Sequence, residues 1–455
     1  MLGGLRVPGK SMLQKPGFWV SAAGLTALTA AFLRWYGDGG VSAAGLIAAL
    51  CSAGAFAAVC LRFVPVWMDF WRTDSALPAA PAEDGTPRHR TLRIFTAFLA
   101  VDILVLLAVF GLRRCFGYSE SFAQSLTFWR CLDSNQYLDI AENWYTAGGD
   151  MDRMVSLVFL PGYPIAVWLL HWLTGEYLYA ALLVSALCFA GAGCVLYRLF
   201  RLDVSHGDAV RALVFLCLLP GGFFFAAPMS ESLFLLLCAA CLYCARTRKW
   251  ALGCLFGGLA AFTRSLGLTL LVPLVFELLH DAALRRGGRS LRWAALLLIP
   301  AGFGVYCWIN YRVSGNPFQY LIYQKEHWGQ QLGWFFNTAA YQTDYALASA
   351  ATDVHTLLGL WLPNLFCAFA ALAVLLQAVR KLRPSYTAWS LAYYVIAIGA
   401  TWLLSGPRYL AALIPLPLAV SALTRKRLPA YLLTAGCAAL YGLYLCAFVL
   451  RWQVW

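Results

Sequence analysis

The chain has 455 residues, of which 61% are hydrophobic and 12% charged, and its mean hydropathy is +0.68, far more apolar surface than a soluble core can bury. Its formal net charge of +13 would suit a nucleic-acid binder. The basic residues, however, fall in short clusters between apolar runs, the distribution that membrane topology produces, and no nucleic-acid role follows.

With the N-terminus placed inside, about 13 membrane-spanning helices are predicted, near 18–34, 42–62, 93–113, 177–198, 211–226, 229–245, 250–263, 265–280, 292–311, 356–377, 387–404, 408–423 and 429–450. Most approach the roughly 20 residues that a hydrocarbon layer requires. This arrangement puts about 24 of the 34 Lys and Arg on the cytoplasmic side, a strong positive-inside bias. The apolar stretch 156–173 is read as an interfacial or re-entrant segment. Counting it as a span would invert every later basic cluster, and Pro161-Gly162-Tyr163-Pro164 interrupts a plain helix. Residues 64–90 include a linker-like Ala79-Ala80-Pro81-Ala82-Glu83-Asp84-Gly85. The first two spans (1–90) therefore read as an appendage to a main module over 91–455. The 15 Cys lie mostly inside apolar runs with no zinc-spaced pair in a loop, and read as small packing residues. The 18 Trp, 22 Tyr and 29 Phe suit interfacial aromatic belts. Asp102, inside an apolar run, reads as a helix–helix partner.

On this topology the unusual polar sequences collect on the outer face. They are the run from Trp129 to Ala141 (WRCLDSNQYLDIA), Pro228-Met229-Ser230-Glu231-Ser232, Thr263-Arg264-Ser265, Gly315-Asn316-Pro317-Phe318, Gln324-Lys325-Glu326-His327-Trp328 and Ser405-Gly406-Pro407-Arg408-Tyr409. Topology rests on Lys and Arg counts, so this clustering is a largely separate sign of a site.

The run WRCLDSNQYLDIAENWY followed by FLPGYP resembles the first-loop signature of the PIG-V-like GPI mannosyltransferase family and its bacterial relatives, members of the GT-C class of membrane glycosyltransferases. PMSESLFLLL, GGLAAFTRSLGL, NYRVSGNPFQY with QKEHWG, and SGPRYL resemble further family blocks in the same order. The likeness covers roughly residues 91–455. Cys131-Leu132 stands where the family commonly has an aromatic before the Asp. The resemblance implies an all-α GT-C architecture with interfacial helices in the first outer loop. It also implies an inverting transferase that moves a hexose, mannose by family precedent, from a polyprenyl-phosphate sugar to an acceptor hydroxyl on the extracytoplasmic side.

Asp133 is the expected catalytic base. A departing phosphate needs no proton, so one carboxylate that deprotonates the acceptor suffices, whereas a glycoside hydrolase usually needs a facing pair. The competing reading is structural, because Asp133 with Gln136 has the D-x-x-Q form of a capping box. Tyr137 falls on Asp133's side of the following helix, while Asp139 and Glu142 point elsewhere. Asp139 is a second candidate, its alternative being a solvated face. Arg264 and Arg408 sit at outer ends of spans, where a guanidinium can fork onto a phosphate or simply snorkel to the interface. Lys325 and His327 lie in the long outer loop 312–355 and are candidates for touching phosphate or acceptor, or for an amphipathic surface segment. Glu231 is a candidate beside Ser230, or a carboxylate favoured at a helix N-terminus. No metal-ligand pattern emerges from the six His. No cofactor is required by this reading, though the outer acids leave room for a weakly bound divalent cation.

The rival class is a transporter or flippase of lipid or sugar, which would carry polar residues at mid-membrane in broken helices and paired halves. A polysaccharide polymerase or ligase would share the face but not the ordered blocks. Short outer loops and the absence of a retention tail favour a bacterial cell membrane over the endoplasmic reticulum.

Overall fold

The computed structural model describes residues 16–71, 88–145, 155–284 and 290–455. The linker-like residues 79–85 lie outside them. Apolar side chains all round a segment leave the backbone only itself to hydrogen-bond to, and helices result. The main ones are α1 (Pro16–Gly37), α2 (Ala43–Phe70), α3 (Arg88–Cys115), α4 (Ser134–Asn143), α5 (Gly162–Thr174), α6 (Tyr177–Arg201), α7 (His206–Leu218), α8 (Glu231–Arg246), α9 (Trp250–Thr263), α10 (Leu271–Ala283), α11 (Leu298–Ser314), α12 (Gln319–Trp328), α13 (Phe335–Thr352), α14 (Leu362–Ala378), α15 (Pro384–Ile398), α16 (Gly406–Ala411), α17 (Pro415–Leu423) and α18 (Arg427–Val449). Among the described residues the only β feature is an isolated antiparallel bridge between Leu332 and Ala400.

Among the described residues eight helices are long and apolar enough to cross a membrane, and the chain is a polytopic all-α membrane protein. Each of the thirteen expected spans contains helix, but several are short or broken. The expected 211–226 ends early at Leu218 and resumes as a 3-10 turn over Gly222–Ala226, because Leu219-Pro220-Gly221-Gly222 interposes a proline and two glycines. The expected 265–280 begins as a 3-10 turn, Ser265–Leu270, before α10. The expected 408–423 divides into α16 and α17, with Pro415 opening the second.

The helices α3, α6, α8, α9 and α11 pack in series, each against the next. A second group joins α2 to α13 and α14, α14 to α16 and α17, α17 to α7, and α10 to α15. In the N-terminal pair, α1 packs on α2 and is tied to α13 by Trp35 Nε1 donating to Asn337 Oδ1 at 2.8 Å. The stretch 156–173 forms part of a 3-10 turn (Val155–Val158) and then α5, whose 13 residues are too few to span. It packs on α4 and α6. Gly162 at its start lies against Thr263, where a β-carbon would collide with the Thr263 backbone, and this lets α5 close over the C-terminal end of α9.

All fifteen cysteines are free thiols, and Cys238, Cys241, Cys244 and Cys254 are buried where α8 meets α9. Asp102 is buried on α3, and its Oδ2 finds no hydrogen-bond partner among the described residues.

Candidate active site

Four sequence-distant blocks converge where α8 and α16 begin and α9 ends. Arg408, on the first turn of α16, is 2% exposed and donates through Nε to Glu231 Oε1 and through Nη2 to Asp133 Oδ2. Arg264, at the junction of α9 with the 3-10 turn, donates through Nη1 to the same Glu231 Oε1 and to Ser230 Oγ at 3.0 Å. Two guanidiniums thus face two carboxylates. Glu231 opens α8, where the helix dipole favours a negative charge. Its second oxygen, Oε2, is buried with no hydrogen-bond partner among the described residues.

Asp133 occupies the N-cap position of α4, yet its backbone is already helical (φ −65°, ψ −18°) and its side chain makes no capping bond. The capping alternative is therefore not the one adopted. The turn before α4 is held instead by the buried Ser134 hydroxyl, which donates to Trp129 O at 2.7 Å and accepts from Cys131 N at 2.7 Å, with Leu132 at φ 52° between. The Asp133 carboxylate is left to face Arg408 with its side chain 31% exposed, against 2% for the Glu231 side chain. Tyr137, one turn on, shares a 2.9 Å hydrogen bond with Ser230 Oγ. Burial pushes the Tyr137 phenol well above its ordinary pKa, so it keeps its proton.

The loop that presents Arg408 is fixed from behind. Asn364 Oδ1 accepts from Gly406 N at 2.9 Å while its Nδ2 donates to Leu403 O at 3.1 Å, and Gln342 Nε2 donates to the same carbonyl at 2.9 Å. Both are 1% exposed. Gly221 lies so close to the Pro407 carbonyl that a β-carbon would collide with it. Arg408 also lies over the Phe224 ring and Arg264 over Tyr409, at 5.6 and 5.3 Å.

These groups line a cavity of about 170 Å³ whose walls include Asp133, Tyr137, Arg264, Ser265, Ser405, Arg408 and Tyr409, with Phe159, Gln324, Trp328, Gln330, Trp402 and Trp455. Of the residues singled out from sequence, Asp133, Tyr137, Arg264 and Arg408 line it, and Glu231 joins it through the two arginines. Asp139 does not, its Oδ1 instead accepting from Asn143 Nδ2 at 2.8 Å within α4. Lys325 and His327 are exposed on α12 and turned away, while Gln324 and Trp328, one helical turn apart, form the face that meets the cavity. Sequence reasoning also passed over Asn364 and Gln342. Their signal was a strong polar residue inside or beside an apolar run. Among the described residues no three His, Cys, Asp or Glu side chains are grouped to hold a metal ion.

No family model and no curated protein sequence matches the chain. Two solved structures share a distant likeness. One is ArnT from Cupriavidus metallidurans bound to undecaprenyl phosphate, with 16% identity over 79% of this chain and 75% of that one and a TM-score of 0.45. The other is the archaeal oligosaccharyltransferase AglB from Archaeoglobus fulgidus, in complex with an inhibitory peptide and a dolichol-phosphate, with 14% identity over 78% of this chain and 56% of that one and a TM-score of 0.38.

Proposed function

We propose that the chain is a GT-C-type membrane glycosyltransferase that moves a hexose from a polyprenyl-phosphate carrier to an acceptor hydroxyl on the extracytoplasmic side of a bacterial cell membrane. Mannose is the sugar that the sequence resemblance implies. The observation that carries the reading is the position of Arg408, buried and shared between an uncapped, partly exposed Asp133 and a fully buried Glu231 at the edge of a cavity.

The chemistry follows from the charges. A carrier phosphate entering the cavity meets Arg264 and Arg408, and takes over the Arg408 Nη2 position that Asp133 occupies in its absence. Glu231 stays behind as the common counter-ion that keeps the two guanidiniums together. The displaced Asp133 carboxylate then accepts the proton of the acceptor hydroxyl as that oxygen bonds to the anomeric carbon. The bond from that carbon to the phosphate oxygen breaks, its electron pair leaves on the phosphate, and the growing charge is met by the two arginines. A single displacement of this kind inverts the anomeric centre. The proposed step requires no cofactor; with the carrier phosphate bound, the phosphate and the two carboxylates exceed the two guanidiniums by one negative charge, which leaves room for a weakly bound divalent cation.

Purified protein in liposomes, given radiolabelled polyprenyl-phosphate mannose and a membrane lipid extract, is expected to move label into a new lipid. Label carried across the bilayer unchanged would instead support a transporter. Efficient transfer from a soluble nucleotide sugar without any lipid carrier would overturn the proposed donor.

A further inference from the structure

The cavity has two kinds of wall. Its charged side chains, Asp133, Arg264 and Arg408, are bound to one another or to Glu231. The lining contributed by α12 and by residues 330 and 402–405 carries no charged side chain: it consists of Gln324, Trp328, Gln330, Trp402, Leu404 and Ser405.

We infer that this second wall is the sugar subsite, built for an uncharged pyranose. The inference rests on the lipid-phosphate reading of the arginines. A pyranose ring has an apolar face of C–H bonds, slightly positive at hydrogen, that suits the negative face of an indole. Its hydroxyls each need a donor and an acceptor, which a carboxamide supplies together. A bare isoprenoid tail would gain nothing from the amides.

The wall is held ready. Gln324 Nε2 donates to Gln330 Oε1 at 2.6 Å, and Gln330 Nε2 donates to Trp402 O at 3.1 Å, which orients both amides while leaving each with unused hydrogen-bonding capacity. Trp402 stacks on Tyr341, with ring centroids 5.7 Å apart and planes at 14°, and meets Trp361 edge-on at 5.7 Å. The strap that carries it is pinned to the segment after α12. Thr401 N donates to Gln331 O at 2.8 Å, Gln331 N donates to Thr401 Oγ1 at 2.8 Å, and that hydroxyl donates to Gly329 O at 3.0 Å. Ordering these groups is therefore not charged to the binding step.

Charge narrows the class of sugar. An aminosugar would seek a carboxylate, and the wall formed by Gln324, Trp328, Gln330 and Trp402 carries none. A uronic acid would compete with the carrier phosphate for the same two guanidiniums. A neutral hexose does neither.

The test measures binding of short-chain probes to the detergent-solubilised protein by calorimetry: citronellyl phosphate, and its mannosyl, glucosyl, glucosaminyl and glucuronyl esters. The neutral hexosyl esters should bind about tenfold or more tighter than citronellyl phosphate itself. Trp402→Ala and Gln330→Ala should each remove most of that increment and Trp402→Phe should keep part of it, with bare citronellyl phosphate as the internal control for folding. No gain from the hexose, a preference for the amino or acidic sugar, or an equal loss for bare phosphate in Trp402→Ala would overturn the subsite while leaving the arginine site standing. If no citronellyl phosphate binds, or Arg408→Ala leaves its binding intact, the lipid-phosphate reading falls and the subsite with it.

Discussion

Helix α8 carries a buried charge cluster at each end, fifteen residues or about 22 Å apart at 1.5 Å per residue, and the two are built differently. At the C-terminal end two arginines are each paired with a carboxylate in a fork. Arg246 grips Asp203 with two hydrogen bonds of 2.7 and 2.8 Å, and Tyr386 OH adds a third to that carboxylate at 3.1 Å. Arg383 grips Glu277 in the same forked way at 2.5 and 2.7 Å, with Ser385 adding its hydroxyl. At the N-terminal end Arg408 is divided between two carboxylates, Arg264 offers one nitrogen, Glu231 Oε2 is unpaired, and Asp133 is partly open to a cavity. A forked pair ties both oxygens of a carboxylate to one guanidinium, here joining the loop before α7 to the end of α8, and α10 to the residue before α15. A shared arginine with an uncommitted carboxylate can exchange one anion for another, and that is what a phosphate site requires.

The contrast is sharpest at Arg408. Its change to Ala should lower transfer by about 10³-fold or more, since the same contacts bind the phosphate and stabilise it as it leaves; radiolabel transfer at saturating and at limiting donor measures both losses. Arg408→Lys should restore only part, because a point charge lacks the planar fork. At the forked cluster the expectation reverses. Arg246→Ala strands the buried Asp203 and should cost about 3–5 kcal/mol of stability, read as a lower melting temperature in detergent, while the turnover of molecules still folded stays close to normal. Asn364→Ala should fall between, costing about 1–3 kcal/mol because the Leu403 carbonyl and Gly406 N–H lose a partner, and turnover should fall with it as the Arg408 loop loosens. Lys325→Ala and His327→Ala, exposed and off the cavity, should change turnover by no more than about twofold. A larger loss there would extend the site onto the outer face of α12.

Much of this arrangement was legible in the amino-acid sequence. Apolar runs and basic clusters located helix in every expected span, and the same topology put Asp133, Glu231, Arg264 and Arg408 on one face before any contact was known. What was not legible depended on side-chain direction and on distant partners. Lys325 and His327 drew attention as charged residues in a loop, but once 319–328 is a helix the face toward the cavity belongs to Gln324 and Trp328. Asp133 looked like a cap because its spacing to Gln136 is right, and only the helical backbone at 133 and the arrival of Arg408 from 275 residues away decide otherwise. The breaks near Leu219 and Pro415 were visible as prolines, yet an apolar window averages over them.

The central claim is that Asp133 is the base and stands on Arg408 only until a phosphate replaces it. Asp133→Asn keeps the shape, removes the proton acceptor and removes the competing charge. Transfer measured beside equilibrium binding of the polyprenyl-phosphate donor should show turnover falling by about 10²- to 10⁴-fold while donor affinity holds or rises. Near-normal turnover in Asp133→Asn, or donor affinity falling in step with turnover, would contradict the account.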